Sequence, residues 1–163
     1  DDMVLRRMAR RHRRADVLRV VEALRAARPD TVIGADFIAG FPTETEEQCA
    51  NTLALVEEAD LSLLHVFPYS AREGTPAAKM PSWPKAVRRE RAAALRAAGL
   101  SQRKATFARF VGSQVDAVVE EPGFARTAHY LPLMAVGDNA PGVRIQATVT
   151  GYTDDSLVGT IDG

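Results

Sequence analysis

The residues whose types and spacing invite chemistry fall in three short stretches of this 163-residue chain. The first is Gly40-Phe41-Pro42-Thr43-Glu44-Thr45. It stands between an apolar run and an amphipathic one, at the junction of a strand with a helix N-terminus. In α/β folds ligands lie beyond the carboxyl ends of the strands, where helix N-termini present unpaired N–H groups. Gly40 would let a flat ring approach the backbone and Phe41 would cover it. The same residues also make a plain turn and cap, with Glu44 favoured by the helix dipole. The second stretch, His65 to Pro76 (HVFPYSAREGTP), brings His, Tyr, Ser and Arg together within a few positions. At the end of a barrel strand, Tyr69 or Arg72 can orient a polar substrate or a phosphate. His65, alone in an apolar run, reads as a satisfied core residue. The third stretch holds Arg6, Arg7, Arg10, Arg11, Arg13 and Arg14 with His12, which serve either as a solvated helix face or as phosphate contacts to RNA.

No Ser-His-Asp order and no paired carboxylates stand out. The single cysteine, Cys49, forms no internal disulfide and alone holds neither zinc nor an iron–sulfur cluster. We therefore assign no catalytic residue and no metal ligand in this chain.

Two compositional halves position these residues. Positions 1–111 carry 19 Lys/Arg against 14 Asp/Glu, a balance of +5, and positions 112–163 carry 2 against 7, a balance of −5. We expect two domains with that boundary, each able to bury a core at 46% hydrophobic content. In the first, Asp16 is placed as N-cap of a helix with Val17, Val20, Val21, Leu24 and Ala27 on one apolar face, stopped by Pro29. The run 32–40 has the character of a strand buried on both faces in a parallel sheet. Thr43 and Glu46 have capping-box spacing, with Cys49, Leu53 and Val56 on the following helical face. A second apolar run, Leu61 to Phe67, completes a β–α–β unit, half of an α/β barrel or a doubly wound sheet. Pro84 is placed in the first turn of a long helix bearing Val87, Leu95, Phe107 and Phe110, with Gly99 as its expected break.

Beyond Gly112, Val115, Ala117 and Val119, and then Val143, Ile145, Ala147 and Val149, alternate with polar neighbours, and 131–136 and 157–161 supply further strands. Four or five short strands in about 50 residues suit a small closed antiparallel barrel of OB-like kind, because closure removes the edges of so small a sheet. The fold class is thus α/β followed by all-β. Arg126, His129, Tyr130 and Arg144 are candidates to stack on or bond to nucleotides, although the local acidity opposes strong RNA binding by the barrel alone.

With 21 basic and 21 acidic side chains the mean charge exerts no overall pull toward nucleic acid or membrane. No apolar run approaches the roughly 20 residues of a membrane span, and no secretory signal is evident. A soluble, cytoplasmic chain without a membrane partner is expected. It opens on Asp1 rather than methionine, and we expect it to be part of a longer polypeptide.

Taken in order, the segments VLRRMARR at 4–11, DFIAGFPTET at 36–45 and HVFPYSAREGT at 65–75 resemble the C-terminal part of the radical S-adenosylmethionine methylthiotransferases. The tail, with VVEE at 118–121 and RTAHY at 126–130, resembles the TRAM domain that ends those enzymes, an OB-like RNA-binding barrel. The resemblance covers nearly the whole chain. The wording at 65–70 is most similar to the branch that methylthiolates C2 of N6-threonylcarbamoyladenosine beside the tRNA anticodon. The isopentenyladenosine and ribosomal-protein branches are close alternatives, and a non-catalytic RNA-binding module or a stand-alone α/β enzyme would use the same residues differently.

The resemblance implies a partial α/β barrel, S-adenosylmethionine and two 4Fe-4S clusters as cofactors of the full-length enzyme, and tRNA as partner. Its chemistry is reductive cleavage of the cofactor to a 5′-deoxyadenosyl radical that activates an adenine C–H bond for sulfur and methyl insertion. It implies that the cluster cysteines lie in the missing N-terminal part of the polypeptide, so that this part alone is inactive. It would place Gly40, Phe41 and Phe67 near the cofactor's adenine, with Glu44 ordering the turn, and Tyr69 and Arg72 on the substrate side. Arg10, Arg11, Arg126 and Tyr130 would face RNA. One departure is Thr43, where the family usually has glycine; assigning Thr43 as N-cap favours a turn that does not require positive φ. A milder one is Ala125 before the Arg-Thr pair, where the family commonly has glycine. A severed barrel would also leave apolar surface uncovered, and we expect the isolated chain to self-associate.

Overall fold

The two apolar runs of the first half form strands β1 (Ile33–Ala39) and β2 (Leu61–Pro68), which pair in parallel with Asp36 opposite His65 and Ile38 opposite Phe67. The computed structural model describes residues 1–137 and 139–162, with Val136 by its backbone alone. Ahead of the sheet lie α1 (Asp2–Arg7) and α2 (Arg14–Ala27); α3 (Glu46–Glu58) crosses between the strands, and α4 (Lys85–Phe110) follows after a short 3-10 turn at Pro76–Lys79. The chain divides into two compact units, Asp1–Gln102 and the residues from Arg103 onward. That seam lies inside α4, whereas the composition changes at 111/112.

In the first unit, Val21 of α2, Leu55 and Val56 of α3, and Ala92 and Leu95 of α4 form one core with Ala39 and Leu61 of the sheet. The helices thus cover one sheet face. Strand alternation sends Asp36, Ile38, His65 and Phe67 to the other face, where all four are exposed. Two expectations are corrected here. The run 32–40 is buried on one face rather than two, and His65 is not a core residue. The physical reason is that a two-stranded sheet with helices on one side has one covered face; the unbroken hydrophobicity of a parallel strand reports two.

Helix starts differ from expectation by two or three residues. Asp1 caps α1, its Oδ1 accepting from the N–H of Met3 at 2.9 Å and of Val4 at 3.2 Å. α2 begins at Arg14, so Asp16 is a first-turn residue and not the N-cap; its carboxylate accepts the Arg13 N–H at 2.9 Å. That hydrogen bond, with help from Arg19, holds the Asp16 carboxyl below the ordinary range. The arginine cluster therefore spans the end of α1, a loop and the start of α2, and is not one helix face. Of the expected apolar stripe on α2, Val21 is buried while Val20 and Leu24 are exposed.

The cap of α3 is Thr45, not Thr43. Thr45 Oγ1 accepts from the Gln48 N–H at 3.2 Å and Gln48 Oε1 accepts from the Thr45 N–H at 3.0 Å, a capping box set two residues later than the Thr43–Glu46 spacing suggested. Thr43 itself adopts φ +65°, so the turn does require the left-handed conformation, at about 1–2 kcal/mol for a residue with a Cβ. Pro84 stands just outside α4, its carbonyl accepting the Arg88 N–H at 3.2 Å. The helix continues for 26 residues through Gly99 without a break. Gly99 is small for packing: a Cβ there would lie 2.6 Å from Leu64 Cδ1.

The second unit is a closed five-stranded barrel of β3 (Gln114–Glu121), β4 (Phe124–Thr127), β5 (Pro132–Val136), β6 (Arg144–Tyr152) and β7 (Leu157–Ile161), in the order β3-β4-β5-β7-β6. Every pair is antiparallel except β5 with β7. Val115, Ala117, Val119, Ile145, Ala147 and Val149 point inward and are buried, following their alternation in sequence, while Val143 falls before its strand and is exposed. The last turns of α4 belong to this unit. Phe107 is fully buried with its ring 6.2 Å from that of Tyr152, Phe110 meets His129 edge-on at 4.8 Å, and Lys104 and Arg103 pair with Asp154 and Asp155 at 2.7 and 3.0 Å. Those contacts draw the seam back to Gln102. No helix among the described residues is long and apolar enough to cross a membrane.

Candidate functional site

The C-terminal ends of β1 and β2 open on a cavity of about 610 Å³. Ile38 and Phe41 come to it from β1 and its turn, Phe67 to Ser70 and Arg72 from β2 and its following loop, Thr75 to Ala77 from the 3-10 turn, and Arg7 to Arg10 from the end of α1. Five candidate site residues from the sequence thus meet at one place: Phe41, Phe67, Tyr69, Arg72 and Arg10. Arg11 lines neither this cavity nor the neighbouring one of about 370 Å³ beside β1.

Behind the cavity the turn at 40–45 is bolted to α4. Gly40 sits at φ +68° with Arg88 so close that a Cβ would lie 2.8 Å from its side chain and 2.9 Å from its Cα. The missing side chain of Gly40 therefore admits the helix on its Cβ side. Its N–H donates to Glu44 Oε2 at 3.1 Å, and the same oxygen receives Arg91 Nη1 at 2.8 Å. Both side chains are buried, and Arg91 also pairs with Glu46 and lies 4.7 Å from the centre of the Trp83 ring. Burial opposes the Arg91 charge, but its hydrogen bonds to Glu46 and Glu44 outweigh it and raise its pKa further. Trp83 Nε1 and Arg91 Nη1 donate to the Glu44 carbonyl at 3.0 and 2.9 Å, which completes the clasp.

Phe41 is 4% exposed, packed edge-on against Tyr69 at 5.4 Å and 76°, with Val4 of α1 in the same cluster. It is a wall of the cavity rather than a cover. Phe67, by contrast, is 55% exposed and Ile38, its register partner, 37%. Together they offer an apolar surface for a flat group. Tyr69 is buried and its hydroxyl has no hydrogen-bond partner, an arrangement that costs roughly 1–3 kcal/mol when nothing fills it.

Two of the clustered arginines are anchors. Arg7 Nη1 donates to the Thr43 carbonyl at 3.1 Å and Gln48 Oε1 at 3.4 Å, and Arg14 donates to the Asn51 carbonyl at 2.7 Å and pairs with Glu58. The guanidiniums of Arg10, Arg11 and Arg72 are exposed and have no ion-pair partner among the described residues.

The barrel presents a second surface. Arg126 donates to both oxygens of Glu120 at 3.1 and 3.0 Å, which raises its pKa. Its guanidinium lies 5.6 Å from the centre of Phe124 and 5.2 Å from that of Tyr130. Tyr130 is 71% exposed and held at φ +63°. Arg144 pairs with Asp116 at 3.1 Å, beside a cleft of about 410 Å³ that also touches Arg126. Rings rather than unpaired charge are what this face offers.

No family model matches the chain. The threonylcarbamoyladenosine tRNA methylthiotransferase MtaB of Rickettsia prowazekii is 51% identical over 154 residues, 94% of this chain and 37% of that protein. A tRNA-2-methylthio-N(6)-dimethylallyladenosine synthase of Cereibacter sphaeroides is 36% identical over 165 residues, 97% of this chain and 38% of its own length. This chain belongs to the methylthiotransferase family. It spans a little over a third of the length of the curated relatives it matches.

In this chain, the sequence drew attention to the turn but not to the residues that fix it, Arg88, Arg91 and Trp83. A signal was present: Arg88 and Arg91 precede Ala92 and Leu95 at helical spacing, so they lie on the stripe that faces the sheet. Among its described residues no three His, Cys, Asp or Glu side chains come together as a metal site, and Cys49 is buried, which raises its thiol pKa.

Proposed function

We propose that this chain is the C-terminal part of a tRNA methylthiotransferase acting at C2 of N6-threonylcarbamoyladenosine next to the anticodon. The observation that carries this reading is its 51% identity, across 94% of the chain, to a protein named for that nucleoside, against 36% to one named for dimethylallyladenosine. When bound, S-adenosylmethionine and two 4Fe-4S clusters supply the radical and sulfur chemistry, with the cluster ligands contributed by the N-terminal remainder of the polypeptide. Units 1 and 2 are read as the end of the radical barrel and a TRAM-like barrel.

This chain's residues then bind and orient. Phe67 and Ile38 carry the apolar surface on which an adenine ring would rest, at the ends of two parallel strands as ligands of such folds do. Gly40, Glu44 and Phe41 hold the adjoining turn against α4 and α1. Tyr69 and Arg72 face the substrate side. Arg10, with Arg11 outside the cavity, supplies charge for the anticodon stem, and Tyr130 with Arg126 supplies a stacking platform.

The test is to express the full-length enzyme in a strain lacking its own threonylcarbamoyladenosine methylthiotransferase and to analyse tRNA nucleosides by mass spectrometry. We expect the 2-methylthio derivative of threonylcarbamoyladenosine to return. Methylthiolated dimethylallyladenosine in its place, in a strain also lacking that enzyme, would overturn the reading.

A further inference from the structure

The Tyr69 N–H donates to the Ala39 carbonyl at 2.8 Å, and beyond that bond the chain turns at Gly40 on one side and runs on through Ser70 to Arg72 on the other. Arg88, in the first turn of α4, reaches both exits. Its Cγ, Cα and Cβ lie 2.8, 2.9 and 3.1 Å from the place where a Cβ of residue 40 would stand, and its Nη1 donates to the Tyr69 carbonyl. Farther along α4, Arg96 Nη1 donates to the Val66 carbonyl at 3.2 Å, so the helix holds β2 both within the strand and just past its end. Arg88 is half-buried, no carboxylate pairs with it among the described residues, and its Nε–H is buried without an acceptor. An N–H withdrawn from water without a partner lowers stability. Arg91, one turn along the same helix, meets two carboxylates and holds the Glu44 turn by itself. A cation kept where it costs stability, between the two strand exits, points to the placement of those exits as its contribution.

We propose that Arg88 is a positioning residue for methylthiolation: it fixes the β2 exit at 69–72 against the β1 exit at Gly40, and so sets the spacing between the substrate side and the cofactor side of the site. This rests on the methylthiotransferase reading above, in any of its nucleoside branches. Arg88 acts through the main chain of Tyr69 and Gly40 and does not line the cavity itself. Its head and its stem divide the task. The guanidinium holds the Tyr69 carbonyl, and the stem fills the room that Gly40 leaves, so neither exit can shift without moving the side chain that also contacts the other. Spacing of reacting groups is where such a residue has its effect, because a displacement of about 1 Å slows a reaction far more than it weakens binding.

The experiment compares wild type, Arg88→Met and Arg88→Lys in the full-length holoenzyme, on whichever tRNA nucleoside the wild type methylthiolates. A preference for dimethylallyladenosine would overturn the substrate reading above and leave this comparison intact. Methionine keeps an apolar stem over Gly40 and removes the donor with its charge; lysine keeps a charged donor. For Arg88→Met, kcat should fall about 10- to 100-fold, while the equilibrium affinities for S-adenosylmethionine and for tRNA change by less than about 3-fold. The amount of S-adenosylmethionine cleaved per methylthiolated nucleoside should rise, because cleavage continues when the acceptor is out of place. Thermal unfolding should stay at the wild-type temperature, since the group lost is an unmatched cation. Arg88→Lys should recover most of the turnover and the wild-type cleavage ratio. An unchanged kcat and ratio in Arg88→Met would overturn the proposal. So would a joint loss of turnover, affinity and unfolding temperature that lysine does not repair, which would assign Arg88 to fold stability alone.

Discussion

In the α/β unit Arg91 is buried between Glu44 and Glu46, while Arg10 and Arg72 line a cavity where, among the described residues, they have no ion-pair partner and no acid joins them. On the barrel strands both arginines, Arg126 and Arg144, lie at the surface and each is matched to an acid, Glu120 and Asp116. The buried pair fixes a turn, because losing one partner strands a charge away from water. Unpaired arginines are ready for a ligand. Surface pairs do little for stability, with a typical worth of about 0–1 kcal/mol, and that of Arg126 keeps its guanidinium 5.6 and 5.2 Å from the Phe124 and Tyr130 rings. The same residue type thus serves as bolt, ligand contact and platform, and the surroundings decide which.

The largest effect expected from this contrast is at Glu44. Glu44→Ala leaves Arg91 buried with only the exposed Glu46 beside it and frees the Gly40 N–H, and should lower the stability of the α/β unit by about 3–5 kcal/mol in denaturant unfolding. The double change Glu44→Ala/Arg91→Met should recover a large part of that loss, since an apolar replacement of a buried pair is often neutral. A loss below about 1 kcal/mol for the single variant would place this pair with the surface ones.

Next in size is Tyr130. Base stacking on an aromatic ring contributes roughly 1–3 kcal/mol, so Tyr130→Ala in the full-length enzyme should weaken tRNA binding about 5- to 150-fold without changing its salt slope. A change of slope with little change of affinity would mean that the barrel, too, works through charge.

A smaller effect, of opposite sign, is expected at Thr43. With φ at +65° and the capping role taken by Thr45, nothing in the hydrogen bonding holds threonine there. Thr43→Gly should stabilise the α/β unit by about 1 kcal/mol, the left-handed penalty less the added freedom of glycine when unfolded. Thermal unfolding reads this directly, and destabilisation would show that the Thr43 side chain has a role the hydrogen bonds do not reveal.

These cases also show which parts of the structure could be read from sequence. The barrel was legible because its strands are buried on one face and alternate strictly, as in 115–119 and 145–149. The β–α–β unit was legible in order, but strand burial was not: a strand made for a parallel sheet is apolar on both faces whether or not both are covered. The capping error at Thr43 arose because Thr43–Glu46 and Thr45–Gln48 share one spacing pattern, and local sequence cannot rank them. Of the cavity, the contributors from β2 were visible as a dense polar run, whereas the approach of Arg10 depends on α1 ending at Arg7, a boundary that six clustered arginines conceal. Arg91 was passed over because an arginine on an Arg/Ala-rich helix looks solvated until its acidic partner is located 47 positions away.

The smallest expected effect on stability probes the barrel half of the contrast most sharply. Glu120 accepts both hydrogen bonds of Arg126 and offsets its charge on the platform between Phe124 and Tyr130. Its side chain is exposed enough for water to replace the pair, so Glu120→Gln should change unfolding stability by less than about 0.5 kcal/mol. Its consequence for binding is larger. With the acid gone, the Arg126 charge is free to meet a phosphate while its plane stays beside the rings, and the tRNA affinity of the full-length enzyme should rise several-fold with a salt slope steeper by about one unit. If affinity falls instead, the Glu120 contact orients Arg126 for stacking, and the barrel's pairing of each arginine is itself part of how it binds.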